Sequence, residues 1–251
     1  MDKTAWNAFC TVLKQYKTFI EKTSASLPDL GDKIQDLVQN REGPSYTVET
    51  PLVYNKALDD ITLESEIKMI LVGDNPGRRE QAAENRRYLV GPSGKIAENF
   101  FRSNPSLKID WKKNVLILNK TPIHTPRTTE LRTLCSLDKR LEEAVYHSQK
   151  VMAELLYKFW INLSGDAGRS SPVVWIIGYS EMKKGGIFEV YTETLKTLCE
   201  ANTAFKESIY FFRHFSMNQF TIDLKKQAMP GENLQKSLER MGKAYRKRVL
   251  G

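Results

Sequence analysis

The chain has 251 residues, 41% of them apolar and 27% charged, enough for one packed core and unlike a disordered sequence. No apolar run approaches the ~20 residues a bilayer crossing needs, and the polar start Met1-Asp2-Lys3-Thr4 lacks the regions of an export signal, so a soluble cytoplasmic protein with no membrane contact is expected. The net charge of +8 is uneven: residues 225–251 hold eight Lys/Arg against Glu232 and Glu239, a net of +6, leaving only +2 for the rest.

In chain order, residues 4–22 place Trp6, Phe9, Cys10, Leu13, Tyr16 and Ile20 on one helical face, with Lys and Gln opposite. A second helix is expected over 30–40, ended by Gly43-Pro44-Ser45. Residues 1–60 thus read as a helical extension packed on the main fold. Four short apolar runs follow, at 67–72, 115–118, 173–177 and 209–212, with little alternation, as in strands buried on both faces. Helix-like stretches at 93–103, 138–163 and 186–201 separate them. That order predicts right-handed βαβ units. The expected fold is α/β: a three-layer αβα sandwich with a central four-stranded parallel sheet over 61–225, plus the N-terminal helical extension. A basic C-terminal helix is expected over 226–251, with Leu234, Leu238, Met241, Tyr245 and Val249 at helical spacing. Its charge suits a polyanion, and equally the solvated face of a packing helix.

Cys10, Cys135 and Cys199 stand far apart, and His124, His147 and His214 show no ligand spacing, so neither a metal site nor a cofactor is expected. His124 and His147 read as packing or surface residues. In open parallel sheets ligands bind beyond the carboxyl ends of the strands. Those ends lead into Gly73-Asp74-Asn75-Pro76-Gly77, Asn119-Lys120-Thr121-Pro122, Gly178-Tyr179-Ser180 and Arg213-His214-Phe215-Ser216. Two amides and an imidazole on one rim can hydrogen-bond a heterocycle, and no obvious nucleophile stands with them. Structural roles are also open: an Asx-turn at Asn75, a turn cap at Asn119, a packing role for His214 and a solvated Arg127. No Gly-x-Gly-x-x-Gly follows the first strand, which disfavours a dinucleotide enzyme.

Ile70-Leu71-Val72-Gly73-Asp74-Asn75-Pro76-Gly77 resembles the first motif of the uracil-DNA glycosylase superfamily, where a Gly-x-x-Pro loop follows the first buried strand. Tyr88-Leu89-Val90-Gly91-Pro92-Ser93-Gly94-Lys95 is similar to the Phe-Val-Gly-x-Ala-Gly stretch of its iron–sulfur branch. Val115-Leu116-Ile117-Leu118-Asn119 resembles the family strand that ends in a base-reading Asn, and His214-Phe215-Ser216 matches two positions of its His-Pro-Ser motif. The four motifs keep their order over roughly 67–225.

The resemblance implies a glycosylase that hydrolyses the N-glycosidic bond of uracil or another deaminated or damaged base in DNA. Asn75 would place the attacking water and His214 would stabilise the leaving base anion. Asp74, Gly77, Tyr88, Leu89 and Asn119 would contact the base; Gly91, Ser93, Lys95, Ser216, Met217 and Asn218 would contact DNA. Met217 or Phe220 would wedge into the gap left by the flipped base. The expected partner is damaged or mismatched DNA, single- or double-stranded, bound by a monomer. Leu89 stands where the family stacks an aromatic ring, Phe215 replaces the motif proline, and Gly77 replaces a tyrosine that in some branches excludes a C5-methyl group. The cluster cysteines have no counterparts, so no iron–sulfur cluster is expected. The alternative is a glycosylase-fold module that binds nucleic acid, a free base or a nucleotide without cleaving it.

Overall fold

Residues 1–43, 45–164 and 170–251 are described by the computed structural model. The four apolar runs form β1 (Met69–Gly73), β2 (Val115–Asn119), β3 (Val173–Ile177) and β4 (Ile209–Phe212). All are parallel, in the order β2-β1-β3-β4. Every residue of β1 is buried, as its central place and unbroken apolar run require. This strand lies slightly later than the expected 67–72, although Lys68 still donates to the Asn114 carbonyl and accepts from the Val173 N–H.

The helices are α1 (Lys3–Ser26), α2 (Leu30–Glu42), α3 (Pro92–Ser103), α4 (Trp111–Asn114), α5 (Glu130–Leu137), α6 (Lys139–Leu163), α7 (Glu189–Ala201), α8 (Thr203–Ser208), α9 (Gln219–Lys226) and α10 (Leu234–Leu250). The layers follow from strand order and handedness. The step from β1 to β2 runs one way along the sheet, while the steps to β3 and β4 run the other. Right-handed crossovers therefore put α3 on one face and α6 with α7 on the opposite face. Trp175 of β3 meets Phe101 of α3 and Phe220 of α9, consistent with that division. The expected three-layer α/β sandwich with its helical extension is the observed fold.

The N-terminal helices are part of the same core. Phe9 packs on Phe159 of α6 with ring centroids 5.2 Å apart. Leu52 bridges Ile123 just beyond β2, and the Tyr16 and Tyr88 hydroxyls lie 2.7 Å apart. The C-terminal helix expected over 226–251 is shorter: α9 ends at Lys226 and α10 begins at Leu234, with Pro230-Gly231 breaking the chain between them. A Cβ on Gly242 would stand 2.6 Å from Tyr210 Cβ, so only glycine lets α10 lie this close to β4. Two of its cations are spent inside the fold: Arg240 pairs with Glu232 at 2.7 Å and Arg246 with Glu207 at 2.8 Å. The basic segment is thus a structural cover of the sheet as well as a charged surface. Among the described residues no helix is long and apolar enough to cross a membrane.

Candidate active site

Strand order reverses between β1 and β3, and the loops beyond the carboxyl ends there enclose a cleft of about 580 Å³. Asp74, Asn75, Gly77, Leu89, Ser93, Asn119, His214, Ser216 and Met217 line it, as does Arg127. The two amides and the imidazole therefore share one cavity, of a size usual for small-ligand sites.

Asn75 is fixed by the segment after β2. Its Nδ2 donates to Thr125 Oγ1 at 2.9 Å and to the Thr125 carbonyl at 3.2 Å, while its Oδ1 accepts from Thr128 Oγ1 at 2.9 Å. Pro76 is held in turn by His124, whose Nδ1 donates to the Pro76 carbonyl at 2.7 Å and whose Nε2 meets the Tyr46 hydroxyl. Burial brings His124 down to about 4, in keeping with a neutral packing residue.

His214 follows β4. Its Nδ1 accepts from the Ser216 N–H at 3.1 Å and lies 2.9 Å from Ser216 Oγ. An acceptor Nδ1 puts the ring proton on Nε2. Burial lowers the pKa of His214, with Lys120 acting the same way and Asp74 opposing. The ring is thus a neutral donor.

Asn119 ends β2, is 2% exposed, and its Nδ2 has no hydrogen-bond partner among the described residues. Its one neighbouring acceptor is the Glu80 carboxyl, with which it makes no hydrogen bond of ordinary geometry, so this buried donor is under-satisfied and open to a ligand acceptor. The nearby Glu80 carboxyl accepts from the Leu89 N–H at 2.9 Å and the Gly77 N–H at 3.2 Å. Burial raises Glu80 from its ordinary 4.5 to about 7, against the opposing pull of these N–H groups and of Asn119. A carboxyl raised in the folded state binds more protons there, so stability falls as pH rises from about 4.5 to about 7. At ~1.4 kcal/mol per pH unit this amounts to ~3 kcal/mol. Urea denaturation of Glu80→Gln across that range should show its stability relative to the parent improving by about this much as pH rises. A pH-independent difference would contradict the assignment.

Beneath the cleft Lys120 is fully buried. Its Nζ contacts Asp74 Oδ1 at 2.5 Å, the Ile177 carbonyl at 2.6 Å and the Gly73 carbonyl at 3.4 Å, with the Phe188 ring centroid 4.9 Å away. Burial lowers its pKa and Asp74 counters this. Three acceptors around one nitrogen suit the ammonium form. Lys120 thereby fixes an anionic Asp74 on the cleft wall beside His214. Gly178, at φ 77°, makes room for it: a Cβ there would lie 2.5 Å from Asp74 Oδ1.

Several expected positions fall elsewhere. Tyr88 turns away from the cleft; its hydroxyl donates to the Val53 carbonyl at 2.6 Å, so Leu89 alone of the pair reaches the cleft. Lys95 lines a different cavity, of about 840 Å³, beyond Leu89. Gly91 is the N-cap of α3 and Asn218 is exposed; neither lines the cleft. Phe220 cannot be a wedge, because it is 2% exposed and packs on Phe215 at 4.5 Å. Met217 is 78% exposed at φ 51°, at the rim. Phe215, in place of the motif proline, anchors this loop in the core.

Leu89 itself has φ 53°, a strained backbone for a branched side chain, held by Glu80. A Cβ on Gly94 would stand 1.4 Å from the Leu89 carbonyl oxygen. Gly94→Ala must therefore push the loop off the first turn of α3, at a cost of about 2 kcal/mol or more. A melting curve should fall by several degrees; an unchanged one would mean that the loop is not held there.

Among the described residues no group of three His, Cys, Asp or Glu side chains could hold a metal ion. No protein-family model and no curated protein matches the chain. Fold and site together define an α/β protein with a polar cleft at the switch point of its sheet.

Proposed function

We propose that the protein is a DNA base glycosylase, hydrolysing the N-glycosidic bond of uracil or another deaminated or damaged base. The observation that carries this reading is the under-satisfied Asn119 Nδ2, without a hydrogen bond of ordinary geometry, sharing one cleft with the His214 Nε2–H and with Asn75. Two neutral donors suit a base with two carbonyl oxygens. As the C1′–N bond breaks, its electron pair moves onto the base, and a donor aimed at the oxygen that gains charge lowers the barrier. His214 suits this task because it is neutral and its proton is on Nε2. The sugar becomes cationic, and the Asp74 carboxylate supplies negative charge nearby. Water adds to C1′ through its oxygen, oriented by Asn75, and its proton ends on the released base. Gly77 leaves open space where a side chain would begin, which leaves room for a C5-methyl group. Reaching the cleft requires the base to leave its stack, which favours mismatched and unpaired sites.

One observation favours the non-catalytic alternative: the Asn75 amide is already engaged by Thr125 and Thr128, as a structural brace would be. The deciding experiment offers end-labelled oligonucleotides carrying uracil, hypoxanthine, xanthine or thymine, as single strands and mismatched duplexes, followed by alkaline scission. Base release supports the glycosylase. Binding without release on every substrate supports the module.

A further inference from the structure

The cleft does not end at Tyr179 and Ser180. These two residues also border a second concavity of about 580 Å³, lined by Lys183, Lys184, Lys196 and Arg248 together with Glu189 and Glu193. Among the described residues none of the four cations lies within ion-pair distance of a carboxylate. This contrasts with Arg240 and Arg246 on α10, which are paired within the fold. Of the two acids, Glu189 is engaged by the Gly185 N–H at 2.7 Å. The concavity therefore carries a positive excess.

Aromatic rings connect it to the cleft. The Arg248 guanidinium lies over the Tyr245 ring, 5.1 Å from its centroid, and Tyr245 stacks on Tyr179 at 4.7 Å. The Tyr245 hydroxyl donates to Asp223 at 2.8 Å, which fixes this ring behind Tyr179. A braced aromatic beside unpaired cations, opening from a base-sized cleft, is the composition of a single-strand path: phosphates follow the cations and an unpaired base lies on the ring.

We propose that this shelf binds the single strand leading away from the nucleotide in the cleft, with Lys183, Lys184, Lys196 and Arg248 on phosphates and Tyr179 beneath a base. The proposal rests on reading the cleft as a nucleic-acid base site. It makes single-stranded nucleic acid the preferred partner, because a paired base cannot lie on Tyr179 while its partner strand occupies the same side.

The test is fluorescence anisotropy with a short labelled single strand of mixed sequence, without damage, and with the corresponding duplex, over a range of salt. Lys183→Glu/Lys184→Glu changes two exposed side chains, and circular dichroism should give an unchanged melt. The expected result is a loss of single-strand affinity of about ten-fold or more, with the log–log salt slope reduced by ~1.4 for two lost phosphate contacts. Tyr179→Leu should weaken single-strand binding by about ten-fold with the slope retained. Unchanged affinity and slope in the double variant would overturn the proposal, and so would an equal loss on duplex. Its failure is separable from that of the glycosylase reading. Absence of base release with shelf-dependent binding removes the enzyme and keeps the shelf; base release with shelf-independent binding does the reverse.

Discussion

Lys120→Met is expected to destabilise the protein by about 3–5 kcal/mol, the usual cost of removing one partner from a buried ion pair. Nζ is wholly enclosed and is the donor to Asp74 and to two strand-end carbonyls. Methionine fills a similar volume and offers no proton, so packing over Phe188 is largely kept while all three acceptors lose their donor. The Asp74 side chain is only 18% exposed and has little water to turn to. Asp74→Asn should also be costly, since it leaves a buried ammonium facing a neutral amide. The double variant should lose less than the sum of the two, because each single change strands the other charge. Urea denaturation of the four proteins checks this. A loss below about 1 kcal/mol for Lys120→Met, or strict additivity, would mean that the pair does not hold the strand ends together.

The sheet was legible because its chemistry is local. An unbroken apolar run such as 173–177 has few folds open to it, and helical stretches between such runs leave a parallel sheet. The convergence of Asn75, Asn119 and His214 was legible for the same reason, since a strand's carboxyl end is set by where the run stops. Side-chain direction in the loops was not. Tyr88 and Leu89 are adjacent, and which one faces the cleft depends on the left-handed backbone at Leu89, imposed from outside by Glu80 and Gly94. Met217 and Phe220 raise the same difficulty. Left-handed Met217 and Asn218 turn the chain so that the first is exposed and Phe220 enters the core, although both are large apolar residues in one short segment. Glu80 and Lys120 carried no periodic signal at all. Each is a charged residue in a polar loop by sequence, and only tertiary enclosure makes one a carboxyl raised to about 7 and the other a buried strut. The sole hint was Lys120 standing directly after an apolar strand.

Asn119→Ala should separate activity from stability in the opposite sense. Under the proposed chemistry the Asn119 amide donates to the base, and losing one such donor lowers the rate by ~10²–10³. His214→Ala should cost a similar factor, because it removes the donor to the oxygen that gains charge. The two differ in what they do to the empty protein. The imidazole of His214 is tied to Ser216, so its removal loosens the loop that carries Met217. The Asn119 Nδ2 makes no hydrogen bond of ordinary geometry and is held only by the pull of the nearby Glu80 carboxyl, so removing it costs little beyond the lost side-chain volume. Asn119→Ala is therefore expected to melt close to the parent while base release collapses. Thermal unfolding and single-turnover kinetics on the same preparation measure both quantities. A variant that melts well below the parent would assign Asn119 a structural role as the cap of its strand. One that melts normally and still releases base at the parental rate would remove the amide from the reaction, and with it the observation on which the glycosylase reading stands.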